Sequence, residues 1–158
     1  MIPALLERAA PVRRRLSPLG HPIDEWAANL GFRAMLDAYI AHGGLMTCEG
    51  LSGRLRGVDS QPLSRIARWI VARDIVTLEW EGVRLVPRFQ FSPRDWSVRA
   101  GVTRVLIELR DTFDDGELAA WFATPNSWLA FRTPVQCVGE DDDELLQAAR
   151  ADRFIARG

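Results

Sequence analysis

The chain has 158 residues, 47% hydrophobic and 26% charged, with a net charge of −1. That size and balance suit one ordinary core or two small ones and argue against global disorder. No stretch approaches the ~18 apolar residues of a membrane helix, and Arg13, Arg14 and Arg15 follow a short apolar start where a signal peptide would need its hydrophobic run. We expect a cytoplasmic protein.

Residues 1–22 carry Pro3, Pro11, Pro18 and Pro22 with the arginine triplet, and are expected to form an N-terminal arm. Asp24 opens a helix expected over 24–42, its apolar face made by Trp26, Leu30, Phe32, Ala34, Met35 and Ala38, and Gly43-Gly44 stops it. Thr47 is a natural N-cap for a short helix over 48–56, with Leu51 and Leu55 inward. Ser60 is expected to cap a third helix over 61–73, with Pro62 in its first turn. Its spacing turns Leu63, Ile66, Ala67 and Ile70 inward and Gln61, Ser64, Arg65, Arg68 and Ala72 outward.

The period then changes from helical to alternating. Val76, Leu78 and Trp80 alternate with Thr77 and Glu79, Glu81-Gly82 makes a two-residue turn, and Val83, Leu85 and then Phe89 and Phe91 follow. This predicts a β-hairpin. Helix, helix-turn-helix and hairpin in this order predict a winged-helix-like domain over 23–92.

Ser92-Pro93-Arg94-Asp95-Trp96-Ser97 marks the expected boundary with a helical bundle over 93–158. Val98, Val102, Val105, Leu106, Leu109 and Phe113 stripe a helix over 97–112, and Asp114 or Asp115 starts the next, with Leu118, Ala119, Trp121 and Phe122 inward. Thr124-Pro125-Asn126 breaks that helix. A turn at 127–129, a short helix from Pro134 and a last helix over 142–155 complete the chain. The fold class expected is therefore mainly α with one β-hairpin.

Two features carry chemistry. The third helix offers Gln61, Ser64, Arg65 and Arg68 on one face, with Arg84 and Arg88 on the hairpin. Arginine and glutamine make paired hydrogen bonds to guanine and adenine in the major groove, so these are the candidate DNA-binding residues; a solvated face with no nucleic-acid role is the alternative. All 20 basic residues are arginine, and residues 1–91 have a surplus of positive charge where 92–158 have a surplus of negative. The second feature is Trp121, Pro125, Asn126, Trp128, Leu129 and Pro134. It makes two helix breaks around an aromatic cluster, with Trp121, Trp128 and Leu129 expected to fill the space between and Asn126 to cap the turn.

This skeleton, in residues 98–158, resembles the C-terminal toxin-binding domain of the Xre/MbcA/ParS-like antitoxins. The resemblance implies a small helical bundle, a homodimer and a cognate toxin, often an NAD-consuming RES-domain protein, whose active site is blocked by the antitoxin's C-terminal region. Carried onto this chain, it makes Arg150, Arg153, Phe154, Arg157 and Gly158 the partner-binding candidates. Members of that family usually carry glycine near the place of Ala130-Phe131, and their better-known N-terminal domains are Cro-like where this one reads as winged.

Catalysis has no comparable pattern. His21 and His42 have no Ser/Asp or Cys partner at triad-like spacing, Cys48 and Cys137 are in no CxxC, and there is no phosphate loop or dinucleotide fingerprint. The acidic run 140–144 lacks the glycine and spaced ligands of a calcium loop and suits a helix start. We expect no enzyme activity, cofactor or metal. The expected function is toxin neutralisation with autorepression at operator DNA; the alternative is a stand-alone DNA-binding regulator or a protein-interaction scaffold.

Overall fold

A computed structural model describes residues 22–158, with side chains from residue 30 onward. The arginine-bearing arm and the Trp26 side chain lie outside the described residues. The described chain is mainly helical with one small antiparallel sheet. In order it runs α1 (Pro22–Ala41), β1 (Leu45–Thr47), α2 (Cys48–Leu55), α3 (Pro62–Ala72), β2 (Leu78–Trp80) and β3 (Val83–Pro87). After a 3-10 turn at Arg88–Gln90 come α4 (Ala100–Leu109), α5 (Asp115–Ala123), a 3-10 turn at Ser127–Leu129, α6 (Pro134–Cys137) and α7 (Asp142–Arg157).

Local chemistry accounts for most of the boundaries. Gly43 (φ 100°) and Gly44 (φ 82°) end α1 in the left-handed region, and the Gly44 N–H returns to the Tyr39 carbonyl. Thr47 caps α2 by accepting from the Gly50 N–H at 3.1 Å. Glu81 (φ 49°) and Gly82 (φ 77°) make the β2–β3 turn with both central residues at positive φ, the form whose twist matches paired strands.

The sheet has one more strand than the hairpin expected from sequence. β3 is central, with Leu45 opposite Pro87 on one side and Leu78 opposite Leu85 on the other. β1 is three residues long, too short for alternation to show. Past Pro87 the chain leaves the sheet, so Phe89 and Phe91 do not extend a strand; both are buried.

Three further expectations are corrected. Ser60 does not cap α3: Gln61 holds the N-cap position without a side-chain bond, and the Asp59 carboxylate accepts from the Gln61 N–H at 2.7 Å. Leu63 is 65% exposed and Ala67 also faces solvent; α3 is seated instead through Ile66, Trp69 and Ile70. The helix is rotated because Trp69 packs on Phe91 (ring centroids 5.7 Å), the larger apolar gain. In α1, Leu30 and Ala34 are exposed, while Phe32, Met35, Leu36, Ala38 and Tyr39 point into the core.

Two apolar clusters result. The smaller holds Leu51, Leu55, Ile66, Ile75, Val86 and Phe91. The larger crosses the expected boundary at 92/93, joining Tyr39, Val76, Leu78 and Phe89 to Val102, Leu106, Leu109, Phe122, Leu129 and Leu145. Polar ties cross at the same place. Tyr39 Oη donates to the Ala119 carbonyl, the Arg73 guanidinium donates to Asp115 and to the carbonyls of Arg110 and Phe113, and Arg110 reaches back to Asp74 and the Ala72 carbonyl.

Candidate functional site

The segment between α5 and α6 is built by its own side chains. Asp114 and Glu117 form a reciprocal capping box at the start of α5, each bond 2.8 Å, so these acids are occupied in starting a helix. Pro125 forces Thr124 into extended backbone and ends the helix. Asn126 then organises the turn: its Oδ1 accepts from the Trp128 N–H at 2.9 Å, and its carbonyl accepts from Leu129 and Phe131. The chain reverses through Ala130 (φ 54°) and Phe131 (φ 63°), two consecutive non-glycine residues in the left-handed region. Leu129 and Pro134 are buried, and Thr133 with Gln136 makes a second capping box for α6.

Trp121 and Asn126 converge on a residue that the sequence did not single out. Trp121 Nε1 and Asn126 Nδ2 each donate at 2.7 Å to Oδ2 of Asp152 in the middle of α7. Asn126 thus ties its own turn with one end of its amide and the last helix with the other. Trp128 does not join them: it is 58% exposed, and Leu129 alone fills the core at this turn. An open cleft of about 430 Å³ lies against this junction, lined by residues that include Phe113, Glu117, Trp121, Pro125 and Asp152.

The first turns of α7 are held by ions. Arg132 pairs with Asp141 (3.0 Å) and Glu144 (3.2 Å), and Arg104 pairs with Asp143 (3.0 Å). The Asp142 carboxylate accepts from the Gly139 N–H at 2.8 Å and lies against Gly101, where any Cβ would collide with it. Further along, the partner-binding candidates divide. Arg150 and Arg153 both pair with the half-buried Glu108 of α4, and Arg157 donates to Thr112 at 3.0 Å. Phe154 and Gly158 face solvent, and so does Ile155, which no motif in the sequence marks; Phe154 is 78% exposed and Ile155 64%.

On α3 the DNA-binding candidates divide as well. Gln61, Ser64 and Arg68 lie exposed. Arg65 folds back: it pairs with Asp59 at 3.2 Å and its guanidinium lies 5.1 Å from the centre of the Trp69 ring. Arg84 on β3 stands opposite Glu79, and Arg88 stacks on Trp96 at 5.1 Å. Between the polar residues α3 exposes Leu63 and Val71, the latter 85% exposed.

Comparison with known proteins gives no matching family model, curated protein or solved structure.

Burial pushes the Cys137 thiol above its usual range, away from a reactive thiolate. Among the described residues no group of His, Cys, Asp and Glu could hold a metal ion, and no helix is long and apolar enough to cross a membrane.

Proposed function

We propose that this protein acts by binding: it is an antitoxin-type protein that neutralises a partner toxin by covering it with the end of its last helix. The observation that carries this is the contrast along α7. Its first turns are buried and ion-paired, while Phe154 and Ile155 stand in solvent on a helix whose position is fixed. Large apolar side chains held out on a rigid element are what a protein interface uses as anchors. Further support comes from the tight turn. Ala130 and Phe131 adopt glycine-like backbone at the place where the resembling antitoxins usually carry glycine.

Co-expression with a toxin encoded beside it tests this directly. Phe154→Ala with Ile155→Ala should leave the melting temperature near the parent's, because exposed positions change stability by only about ±0.5 kcal/mol, and should abolish both rescue of growth and co-purification. Rescue at the parental level would remove the helix end from the mechanism. Deleting residues 150–158 is the poorer test, since it also strips Arg150 and Arg153 from Glu108.

Autorepression is the second part of the proposal. The N-terminal elements run helix, strand, helix, helix, strand, strand, with β3 between β1 and β2, an order that supports reading them as a winged helix-turn-helix. DNA contact then falls to Arg68 with Gln61 and Ser64, in a homodimer whose two α3 helices meet successive turns of the groove. A protein without a toxin, serving as regulator or scaffold, would shift operator DNA or bind other proteins but rescue nothing.

A further inference from the structure

In the C-terminal half Glu108, Asp115, Asp141, Asp143 and Glu144 each have an arginine within ion-pair distance, which offsets their charge. Asp152 has none among the described residues. Its Oδ2 is held by two neutral donors, Trp121 Nε1 and Asn126 Nδ2, both at 2.7 Å. Neutral donors fix the direction of a carboxylate without cancelling its charge, so a full negative charge is left pinned on the cleft wall. The cleft is also lined by Phe113, Trp121, Pro125 and Glu117, whose carboxylate accepts from the neutral Asp114 N–H and so keeps its charge as well. An aromatic surface beside two carboxylates attracts cations, through the ring quadrupole and through the charges together. Guanidinium suits it better than ammonium, because it is flat, weakly hydrated and offers forked donors to a carboxylate.

We infer that the cleft against Asp152 receives an arginine side chain of the partner protein. This rests on the antitoxin-type binding proposed above and deepens it by naming the chemistry of one contact. The partner is the favoured source because Asp152 lies one helical turn before Ile155, so the cleft continues the exposed end of α7. The arginine would stack on Trp121 and donate to Oδ1 of Asp152, the oxygen not used by Trp121 and Asn126.

The peptide acetyl-Gly-Arg-Gly-amide, titrated into the full chain, tests this without any toxin. The readout is the Trp121 indole N–H resonance, and the peptide carrying neutral citrulline for arginine is the control. The arginine peptide should give a saturable shift, and its affinity should fall at least about tenfold with citrulline or in Asp152→Asn. Ala120→Phe, which narrows the cleft from an exposed position of α5 and leaves the Asp152 hydrogen bonds alone, should weaken binding equally even if Asp152→Asn fails to fold. No saturable shift, an equal response to the two peptides, or unchanged binding in Ala120→Phe overturns the inference. The full-length triple variant Arg13→Gln, Arg14→Gln, Arg15→Gln should bind the peptide as the parent does. A gain of about threefold or more would make this chain's own arm the occupant and overturn the partner's arginine. Failure here leaves the Phe154/Ile155 rescue experiment standing, and failure there leaves this titration standing.

Discussion

Single residues hold this fold where regular hydrogen bonding stops. Gln90 is fully buried, and its side-chain amide works as a piece of strand: Oε1 accepts from the Val76 N–H at 2.7 Å, and Nε2 donates to the carbonyls of Val76 and Pro87 at 2.9 Å. Gln90→Leu would match the volume and orphan three backbone groups in the core. Chemical denaturation should show a loss of about 3 kcal/mol; a loss under about 1 kcal/mol would mean that those groups find other partners. Tyr39 gives a second measurement at this scale. Burial raises its pKa above the ordinary tyrosine range, so the folded state keeps the proton that the unfolded state gives up. The sign follows: its contribution is complete below about pH 10 and declines above it by about 1.4 kcal/mol per pH unit. Tyr39 is the only tyrosine of the chain, so phenolate absorbance reports on it alone. We expect that absorbance to rise together with loss of helix at alkaline pH, not before it.

At the scale of elements, α3 and α7 share a design in which some arginines are fixed and neighbouring side chains are left free. Arg65 is bound to Asp59 and stacked on Trp69, whereas Arg68 is exposed on the same helix. The two should separate experimentally. Arg65→Ala should cost about 1 kcal/mol of stability, the scale of a partly exposed ion pair with a cation–π contact, with little effect on a gel shift of the chain's own promoter DNA. Arg68→Ala should leave stability alone and weaken the shift. The opposite assignment would mean that α3 enters the groove in another rotation, and no shift by the parent would remove DNA from the function. The capping boxes belong here too. Asp114–Glu117 and Thr133–Gln136 fix where α5 and α6 start, and so fix the spacing in which Asn126 reaches α7.

For the whole molecule, what matters is that the two halves are joined through core and polar ties together. Arg73, itself in the left-handed region at the end of α3, donates to Asp115 and to two carbonyls at the α4–α5 corner, while Arg110 from that corner returns to Asp74 and Ala72. Arg73→Ala leaves those two carbonyls and Asp115 without their partner. Because the side chain is about one third exposed, water compensates in part, and we expect a loss of about 1–2 kcal/mol in a single transition followed by both near- and far-ultraviolet circular dichroism. Two separate transitions would mean that the halves unfold independently despite the shared core.

Read alone, the sequence determined what depends on near neighbours. Gly43-Gly44, Thr47, Glu81-Gly82, Asp114 and Pro125 act within a few residues of themselves, so they set most helix limits, the hairpin and the break after α5. Helical spacing likewise identified the buried stripe of α4. Tertiary structure decided the rest, because the partners are far apart along the chain and no period marks them. β1 exists through pairing with β3 some 40 residues away, and α3 is rotated by Trp69 against Phe91. Gly101 lies so close to the Asp142 carboxylate that a Cβ there would require the carboxylate to move. The Trp-Asn skeleton was visible as a motif, but the Asp152 carboxylate that both residues grip was not, since an acid inside a polar helix looks like any solvated one until the fold brings its donors to it.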